Sequence, residues 1–317
     1  MKQRPILTVT LNPALDLTTT APRLEPQRKL RCTAPRYDPG GGGVNVSRVI
    51  HELDGRSAAF VAIAGSTGVH LAGLLKQQGV DARFWEVSGE TRTSFTVMEE
   101  QTGLHYRFVL PGPEQPPAEA ETLLSAVMGA MPEGCAYVVL SGSLLPGLPA
   151  DFYGRLTKRV QDRGAAVILD AHGMDLKAAL ASRPHIIRVN HLEAAELTGI
   201  ADPGASARML SQRLIEQQVA EVVLVSLGDQ GTVVATQSSH FQVRPPVVSV
   251  RSMVGAGDSF VGAFTLALAR SRTLEDATRF GVAAAAAAVT TEGTSLCDRA
   301  MTERLHRQIV HEASAAR

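Results

Sequence analysis

The chain has 317 residues, 44% of them hydrophobic, which is enough for a substantial core and predicts one main α/β domain. Its 31 basic and 31 acidic residues cancel, and this balance argues against nucleic acid or an anionic membrane as a partner. Three widely spaced cysteines match neither a disulfide framework nor a metal-ligand pattern, and no apolar run suggests a signal peptide or a membrane span. We therefore expect a cytoplasmic protein.

The first predicted strand spans residues 6–11 and ends where Asn12 meets a proline. Asp16 follows shortly afterwards. An acid just beyond the carboxyl end of a first parallel strand is well placed to hold sugar hydroxyls, since ligands of open α/β sheets bind at that edge. The alternative is that Asp16 only caps a turn.

Residues 40–43 are four consecutive glycines, and a predicted helix with one apolar face follows them. Such a run costs considerable backbone entropy, so it suggests that the backbone approaches a ligand closely. Asn45, in the first turn of that helix, could offer both a donor and an acceptor to the hydroxyls of a sugar. A flexible loop is the alternative.

A small sheet apart from the core is predicted from two separated pieces of chain, at about residues 17–38 and 88–111. Residues 18–37 are polar and punctuated by prolines, and they carry Lys29 and Arg31. Further strands are predicted over residues 82–87, 94–99 and 106–110, and Arg92 lies between the first two.

From residue 118 onward, predicted helices alternate with apolar strands. The helices span residues 118–131, 152–163, 176–181 and 205–218, and the strands span residues 136–140, 166–169, 186–189 and 222–225. This alternation predicts a mostly parallel sheet covered by helices on both faces. Polar residues follow each strand and would line one crevice: Ser141, Ser143, Asp170, Asn190, Glu193 and residues 226–231.

Residues 254–259 read Val-Gly-Ala-Gly-Asp-Ser, between the β-branched residues 246–250 and a predicted helix over residues 260–268. The first amides of a helix bind anions, and the two glycines would let them approach a phosphate. Asp258 would repel that phosphate unless it accepts a proton from an attacking hydroxyl. The alternative is that Asp258 only favours the helix start. The glycine spacing fits neither a dinucleotide fingerprint nor a Walker A loop.

Asn190 and Glu193 lie one helical turn apart, close enough to share a hydrated magnesium ion. Magnesium keeps several waters and bridges nucleotide phosphates, so a kinase needs few protein ligands for it. An ordinary helix start is the alternative.

Three of these motifs resemble signatures of the PfkB, or ribokinase-like, family of sugar kinases: the glycine run with Asn45, the pair Asn190 and Glu193, and residues 254–259. The resemblance covers essentially the whole chain and is closest to the branch that phosphorylates fructose 6-phosphate. Further segments carry it, at residues 29–35, 106–109, 141–144, 225–228 and 279–284. Relatives that phosphorylate fructose 1-phosphate or tagatose 6-phosphate typically have lysine where this chain has Gly43.

The resemblance implies a ribokinase-like α/β fold, with a mostly parallel central sheet in a single domain over residues 1–317 and the small sheet as a lid. It implies ATP-dependent, magnesium-requiring phosphorylation of fructose 6-phosphate at the C1 hydroxyl. The alternatives are a tagatose-6-phosphate kinase, a 1-phosphofructokinase, or a non-catalytic sugar-phosphate sensor. Asp258 argues against the sensor, because a binding protein would gain by losing a carboxylate beside a phosphate. We expect a homodimer, since paired lids would cover their exposed faces and edges.

Carried over residue by residue, the resemblance implies a sugar-phosphate site comprising Asp16, Lys29, Arg31, Gly41, Gly42, Asn45, Arg92 and Ser143, in which Arg31 and Arg92 hold the existing phosphate. Asp258 would deprotonate the C1 hydroxyl. The backbone amides that would stabilise the transferred phosphoryl group belong to Gly255, Ala256 and Gly257. The nucleotide would lie along Asn190, Ser226, Gly228, Gly231 and Gly257, with adenine near the helix over residues 281–289.

The chain departs from its relatives at three places. Arg188 stands where they usually have lysine, so the phosphate contact would be an arginine with bidentate geometry. Residues 252–253 and 291–292 differ near a possible monovalent-cation loop, so a role for potassium stays open.

Overall fold

A computed structural model describes residues 3–200, 202, 204–292 and 295–315. In chain order the strands are β1 Ile6–Thr10, β2 Ala14–Ala21, β3 Arg36–Gly40, β4 Ala58–Ile63, β5 Asp81–Glu86, β6 Arg92–Glu99, β7 His105–Val109, β8 Tyr137–Ser141, β9 Ala166–Asp170, β10 Ile186–Asn190, β11 Val222–Ser226, β12 Thr232–Ala235 and β13 His240–Val243. The helices are α1 Gly42–Glu52, α2 Gly65–Gln77, α3 Ala120–Ala130, α4 Phe152–Asp162, α5 Gly173–Ala179, α6 His191–Thr198, α7 Ala207–Glu216, α8 Ala256–Ala269, α9 Leu274–Ala288 and α10 Arg299–Ala315.

The larger sheet has the strand order β13-β12-β11-β10-β9-β8-β1-β4-β5. From β11 to β5 neighbouring strands run parallel, while β12 and β13 add an antiparallel edge. Successive strand residues point to opposite faces, so Leu7 and Ile6 of β1 enter two different buried clusters. One cluster packs under α3, α4 and α7, and the other under α1, α8 and α9. The predicted fold, a mostly parallel sheet covered on both faces, is confirmed.

The smaller sheet has the strand order β3-β2-β6-β7, with β2 and β6 parallel. Residues paired across neighbouring strands share a face, so the register separates a polar face from an aromatic one. The polar face carries Asp16, Asp38, Arg92, Ser94, Thr96 and Arg107, and the other carries Leu17, Tyr37, Phe95, Val97, Tyr106 and Phe108. The buried Asp16, Ser94 and Thr96 show that the polar face is the covered one.

Three details differ from the sequence interpretation. Asp16 lies within β2 of the smaller sheet, because the chain passes from Asn12 directly into that strand. The segment predicted over residues 82–87 is β5, which pairs in parallel with β4 at the edge of the larger sheet. Residues 246–250 form no strand despite their β-branched side chains, and prolines at 245 and 246 have no N–H to give to a ladder.

Among the described helices, none has both the length and the apolar composition needed to cross a membrane.

Candidate active site

Four strand ends of the larger sheet bring polar side chains to one edge. The register pairs Ser141 with Asp170 on β8 and β9, and Asn190 with Ser226 on β10 and β11. Ser141 Oγ donates to Asp170 Oδ2 at 2.9 Å. Because parallel strands all point the same way, these groups form a continuous polar row at the carboxyl edge, where ligands of such sheets bind.

Helix α8 begins beside this row with backbone amides that no side chain caps. Its N-cap, Gly255, has φ of 77°, a left-handed conformation that glycine adopts without strain. The first intrahelical bond runs from Ser259 N to Gly255 O, so the amides of Ala256, Gly257 and Asp258 lack partners further back in the helix. These uncapped donors and the positive end of the helix dipole make an anion site.

The Asp258 carboxylate lies in this first turn and is held by a side chain of another helix. Asn45 Nδ2, on α1, donates to Asp258 Oδ2 at 2.7 Å. Burial, and next the Asp170 carboxylate, raise the pKa of Asp258 to about 6, while Asn45, Arg188 and Arg107 oppose the increase. A carboxyl group that titrates near neutral pH is suited to act as a general base.

Arg188, on β10, joins the strand ends to the start of α8. Its Nη1 donates to Asp170 Oδ1 at 3.0 Å and its Nε donates to Ser226 Oγ at 3.1 Å. A Cβ on Gly257 would lie 2.9 Å from Nη1, so glycine leaves room for the guanidinium in its present position. A fixed guanidinium against uncapped amides creates a cradle for a transferring phosphoryl group.

The glycine run brings backbone close to the polar row. Gly41 has φ of 116° and is the N-cap of α1, so residues 42 and 43 lie in the helix and not in a free loop. A Cβ on Gly42 would lie 2.2 Å from Ser141 Oγ. On the other side, Asn12 Nδ2 donates to Ser143 Oγ at 3.1 Å, which orients that hydroxyl. The predicted sugar site is therefore lined by glycine backbone and small hydroxyl groups.

The polar face of the smaller sheet adds a carboxyl group and two guanidinium groups. Burial raises the pKa of Asp16 to about 6, against the effect of Arg107 and Arg92. The Arg92 guanidinium donates to the main-chain oxygen of Asn12 through Nη2 at 3.1 Å. Arg107 lies close enough to both Asp16 and Asp258 to lower the pKa of each.

Arg107 is a candidate that the sequence interpretation missed. It lies on β7 opposite Thr96, in the row of paired residues that carries Thr18, and therefore on the same face as Asp16. The alternation in residues 106–110 placed it on one face of a strand, but only the strand pairing shows which face is covered. Asn12 was also outside the predicted set, although it follows an apolar strand, while Asp170 was predicted only as part of the polar crevice.

The structure does not bring every predicted residue together. Lys29 and Arg31 lie exposed in the segment between β2 and β3. Within the described residues, neither side chain forms a hydrogen bond or an ion pair with Asp16 or Arg92. Their proposed contact with a substrate phosphate therefore stays a prediction.

Asn190 and Glu193 cap the start of α6. Asn190 Oδ1 accepts from Glu193 N at 2.9 Å, and Glu193 Oε2 accepts from Asn190 N at 2.8 Å. These contacts are those of an ordinary helix start, the alternative interpretation of this pair. The capping bond uses Oε2 of Glu193 and not Oε1, and the predicted magnesium contact stays a prediction. Within the described ranges, no three His, Cys, Asp or Glu side chains form a metal-binding cluster.

Three of the predicted nucleotide residues, Ser226, Gly228 and Gly231, lie at the connection between β11 and β12. Gly228 and Gly231 both have positive φ, at 60° and 88°, around the short 3₁₀ helix Gly228–Gln230. A cavity of about 700 Å³ opens beside Asn190 and Ser226. Its lining does not include residues 281–289, most of which are buried in the core. The expected adenine position therefore stays a prediction.

The model of the pfkB family of carbohydrate kinases matches residues 9–301. The chain belongs to that family. ATP-dependent 6-phosphofructokinase isozyme 2 of Mycobacterium tuberculosis is 43% identical over 303 residues, covering 94% of this chain and 88% of the relative. The Escherichia coli protein of the same name is 40% identical, covering 95% of this chain and 97% of the relative.

Solved structures of Escherichia coli phosphofructokinase-2 confirm the ribokinase-like fold of this pfkB-family kinase. A complex with potassium has a TM-score of 0.91 at 37% identity, and covers 97% of this chain and 99% of that one. A complex with fructose-6-phosphate has a TM-score of 0.89 at 37% identity, with the same coverage. The family membership makes the chain an ATP-dependent sugar kinase that uses a divalent metal.

The raised pKa of Asp16 predicts that this residue destabilises the fold at neutral pH. A folded-state pKa above the ordinary value favours the folded state only while the group is protonated, and that contribution is lost as pH rises through about 6. We expect Asp16→Asn to increase the free energy of unfolding at pH 8 by about 1–3 kcal/mol. The gain should disappear by about pH 4, where the wild-type carboxyl is itself protonated.

Urea unfolding at several pH values measures this difference. Asp81→Asn, on the exposed strand β5, is the control and should change stability little at any pH. An Asp16→Asn variant that is no more stable than the wild type at pH 8 would show that the folded protein does not penalise the Asp16 charge.

Proposed function

We propose that this kinase transfers the γ-phosphoryl group of ATP to the C1 hydroxyl of fructose 6-phosphate, giving fructose 1,6-bisphosphate and ADP. The observation that carries the proposal is a half-buried carboxyl group, Asp258, in the first turn of an uncapped helix beside the Arg188 guanidinium. The more similar relatives are named 6-phosphofructokinases, while a 1-phosphofructokinase of Xanthomonas campestris is 32% identical. Gly43, in place of a lysine, agrees with that order.

The reaction needs a base, an anion cradle and a fixed acceptor. Asp258 takes the proton of the C1 hydroxyl. The hydroxyl oxygen bonds to the γ-phosphorus, and the bond between that phosphorus and the bridging oxygen of ADP breaks. The amides of Ala256 and Gly257 and the Arg188 guanidinium stabilise the negative charge of the phosphoryl group during transfer. Asp170 holds Arg188 in place, since their side chains meet at 3.0 Å.

Magnesium fits a sparse site near α6. We infer that Glu193 and Asn190 would help to hold magnesium, because magnesium takes oxygen ligands and retains several waters, and the capping bond uses only one carboxylate oxygen of Glu193. When bound, magnesium would neutralise charge on the nucleotide phosphates. Ser226, Gly228 and Gly231 would hold the nucleotide along the same edge.

The existing phosphate of the substrate would be gripped from the smaller sheet. Arg92 and Arg107 lie on its covered polar face with Asp16, and arginine matches phosphate with a fork of donors. Lys29 and Arg31 would join them from the neighbouring segment. Asp16, Asn45, Ser143 and the backbone of Gly41 and Gly42 would hold the sugar hydroxyls.

The base assignment predicts the behaviour of Asp258→Asn. An amide cannot take the hydroxyl proton, so we expect kcat to fall by about 10²- to 10⁴-fold while the Kd values for ATP and sugar phosphate change little. Steady-state assays of ADP formation and calorimetric titrations measure both. Asp162→Asn, exposed at the end of α4, is the matched control. Retention of more than about a tenth of wild-type kcat would exclude Asp258 as the base.

The phosphate assignment predicts a split between substrates. We expect Arg92→Ala and Arg107→Ala each to raise KM for fructose 6-phosphate by about ten- to a hundredfold, because a charge-assisted hydrogen bond is lost. Activity on free fructose and KM for ATP should change much less. Arg83→Ala is the control, because it also removes a guanidinium, but one that donates to the Ala130 carbonyl oxygen and has no proposed contact with the substrate. Equal losses on fructose and fructose 6-phosphate would remove both arginines from the phosphate site.

We also propose a homodimer through the smaller sheet. Its outer face exposes aromatic side chains, among them Tyr106 and Phe108, and Phe95 stacks on Phe108 at 4.7 Å. A second copy would cover this face. A solved form of the Escherichia coli relative is tetrameric and inhibited, so larger assemblies exist among relatives. Sedimentation should show a wild-type dimer that Phe108→Asp converts to monomer, and a wild-type monomer at micromolar concentration would contradict the proposal.

Potassium is a further proposed ligand. The structure places residues 251–252 beside the end of α9, where both amides donate to the Val289 oxygen, and Arg251 pairs with Glu292 at 3.0 Å. The backbone oxygens of this loop are the kind of ligand that a monovalent cation takes.

A further inference from the structure

Arg48 links the smaller sheet, helix α2 and the side chain that holds Asp258. Its guanidinium donates from Nη1 to the Pro39 carbonyl oxygen at 2.9 Å and from Nε to Gln78 Oε1 at 2.8 Å. Nη2 lies 3.8 Å from Asp38 Oδ1, and the side chain is only 12% exposed. Acceptors on β3 and at the end of α2 therefore fix the position of this guanidinium.

The same guanidinium contacts Asn45. Arg48 lies one turn after Asn45 on α1, and Arg48 Nη1 donates to Asn45 Oδ1 at 3.1 Å. A side-chain amide has a donor end and an acceptor end of almost the same shape, and a guanidinium can only donate. The carbonyl oxygen of Asn45 must therefore face Arg48, which turns the NH₂ group toward Asp258.

Both ends of the Asn45 amide are thus engaged without a substrate. If the amide turned over, its oxygen would face the Asp258 carboxylate at the present distance of 2.7 Å, and two acceptors would repel each other. The second lone pair of Asn45 Oδ1 and the second N–H of its NH₂ group are not used by these two bonds, so the predicted contact of Asn45 with a sugar stays a prediction.

We propose that Arg48 is a positioning residue that fixes the orientation of the Asn45 amide, so that an N–H donor and not a carbonyl oxygen faces the catalytic carboxylate. The inference rests on the proposed role of Asp258 as the base. It deepens that role, because a donor on Asp258 stabilises the ionised form that accepts the proton.

The charged groups that face Asp258 define what this donor opposes. Asp170 on β9 favours the protonated form of Asp258, while Arg188 on β10, Arg107 on β7 and, through its own charge, Arg48 on α1 favour the ionised form. The Asn45 donor adds to these arginines. Its loss should therefore raise the pKa of Asp258, and the pH below which turnover falls should rise with it.

The test is the pH profile of kcat/KM for fructose 6-phosphate in Arg48→Met. We expect the acid limb to move up by about one pH unit and kcat at pH 7 to fall about twofold, with KM for ATP little changed. Arg48→Lys should restore much of the limb, since an ammonium can still donate to Asn45 Oδ1. Arg36→Met, which removes the other guanidinium beside Asp38, is the control and should leave the limb in place. An unmoved limb in Arg48→Met would overturn the proposal.

A double-mutant cycle separates positioning from other effects. Arg48 also acts by its charge on Asp16 and on Asp258 itself, and those direct influences would persist without Asn45. We expect Arg48→Met to move the acid limb much less in an Asn45→Ala background than in the wild type, while thermal unfolding still shows lowered stability in both backgrounds. A limb that moves equally in both backgrounds would show that Arg48 does not act through Asn45.

The two proposals fail in different ways. Substantial turnover in Asp258→Asn would remove the base and the proposed function with it. An inactive Asp258→Asn variant together with an unmoved limb in Arg48→Met would leave the function standing and overturn only the role of Arg48.

Discussion

The hydrogen bond from Asn45 to Asp258 joins the starts of two helices that approach the same edge of the sheet from different parts of the chain. The helices can meet because Gly262 of α8 packs on Val49 of α1, where a Cβ would lie 2.6 Å from a methyl carbon. This contact places the uncapped amides of α8 beside the glycine run. The hydrogen bond from Asn45 also opposes the burial and the Asp170 charge, which both favour a protonated, inactive carboxyl group.

Much of the fold could be predicted because each level of the sequence agreed with the next. Apolar strands alternated with helical patterns at a spacing that only a parallel sheet with crossover helices satisfies. The strand-end groups Ser141, Asp170, Asn190 and Ser226 then had to share one edge, and the register pairs them as expected. The anion site at the start of α8 was predictable because it depends on local sequence alone: two glycines at a helix start let the first backbone amides approach a phosphate.

Other features depend on contacts between distant segments, which periodicity cannot show. The antiparallel strands β12 and β13 and the helix α10 were not predicted, and the β-branched residues before α8 form no strand. Arg107 gains its place only through the pairing of β7 with β6, and Arg48 only through acceptors on β3 and α2. The capping contacts of Asn190 and Glu193 show that the spacing from which a metal site was predicted is also that of an ordinary helix start.

Phosphorus NMR of reactions with ATP and magnesium tests the central claim most directly, when fructose 6-phosphate, tagatose 6-phosphate, fructose 1-phosphate and free fructose are compared as acceptors. The account predicts that fructose 6-phosphate has the highest kcat/KM, with a new phosphate ester at C1 and one ADP per ester formed. Preferred use of fructose 1-phosphate, tagatose 6-phosphate or free fructose would contradict the substrate assignment. Binding of sugar phosphates without any ADP formation would contradict the kinase itself.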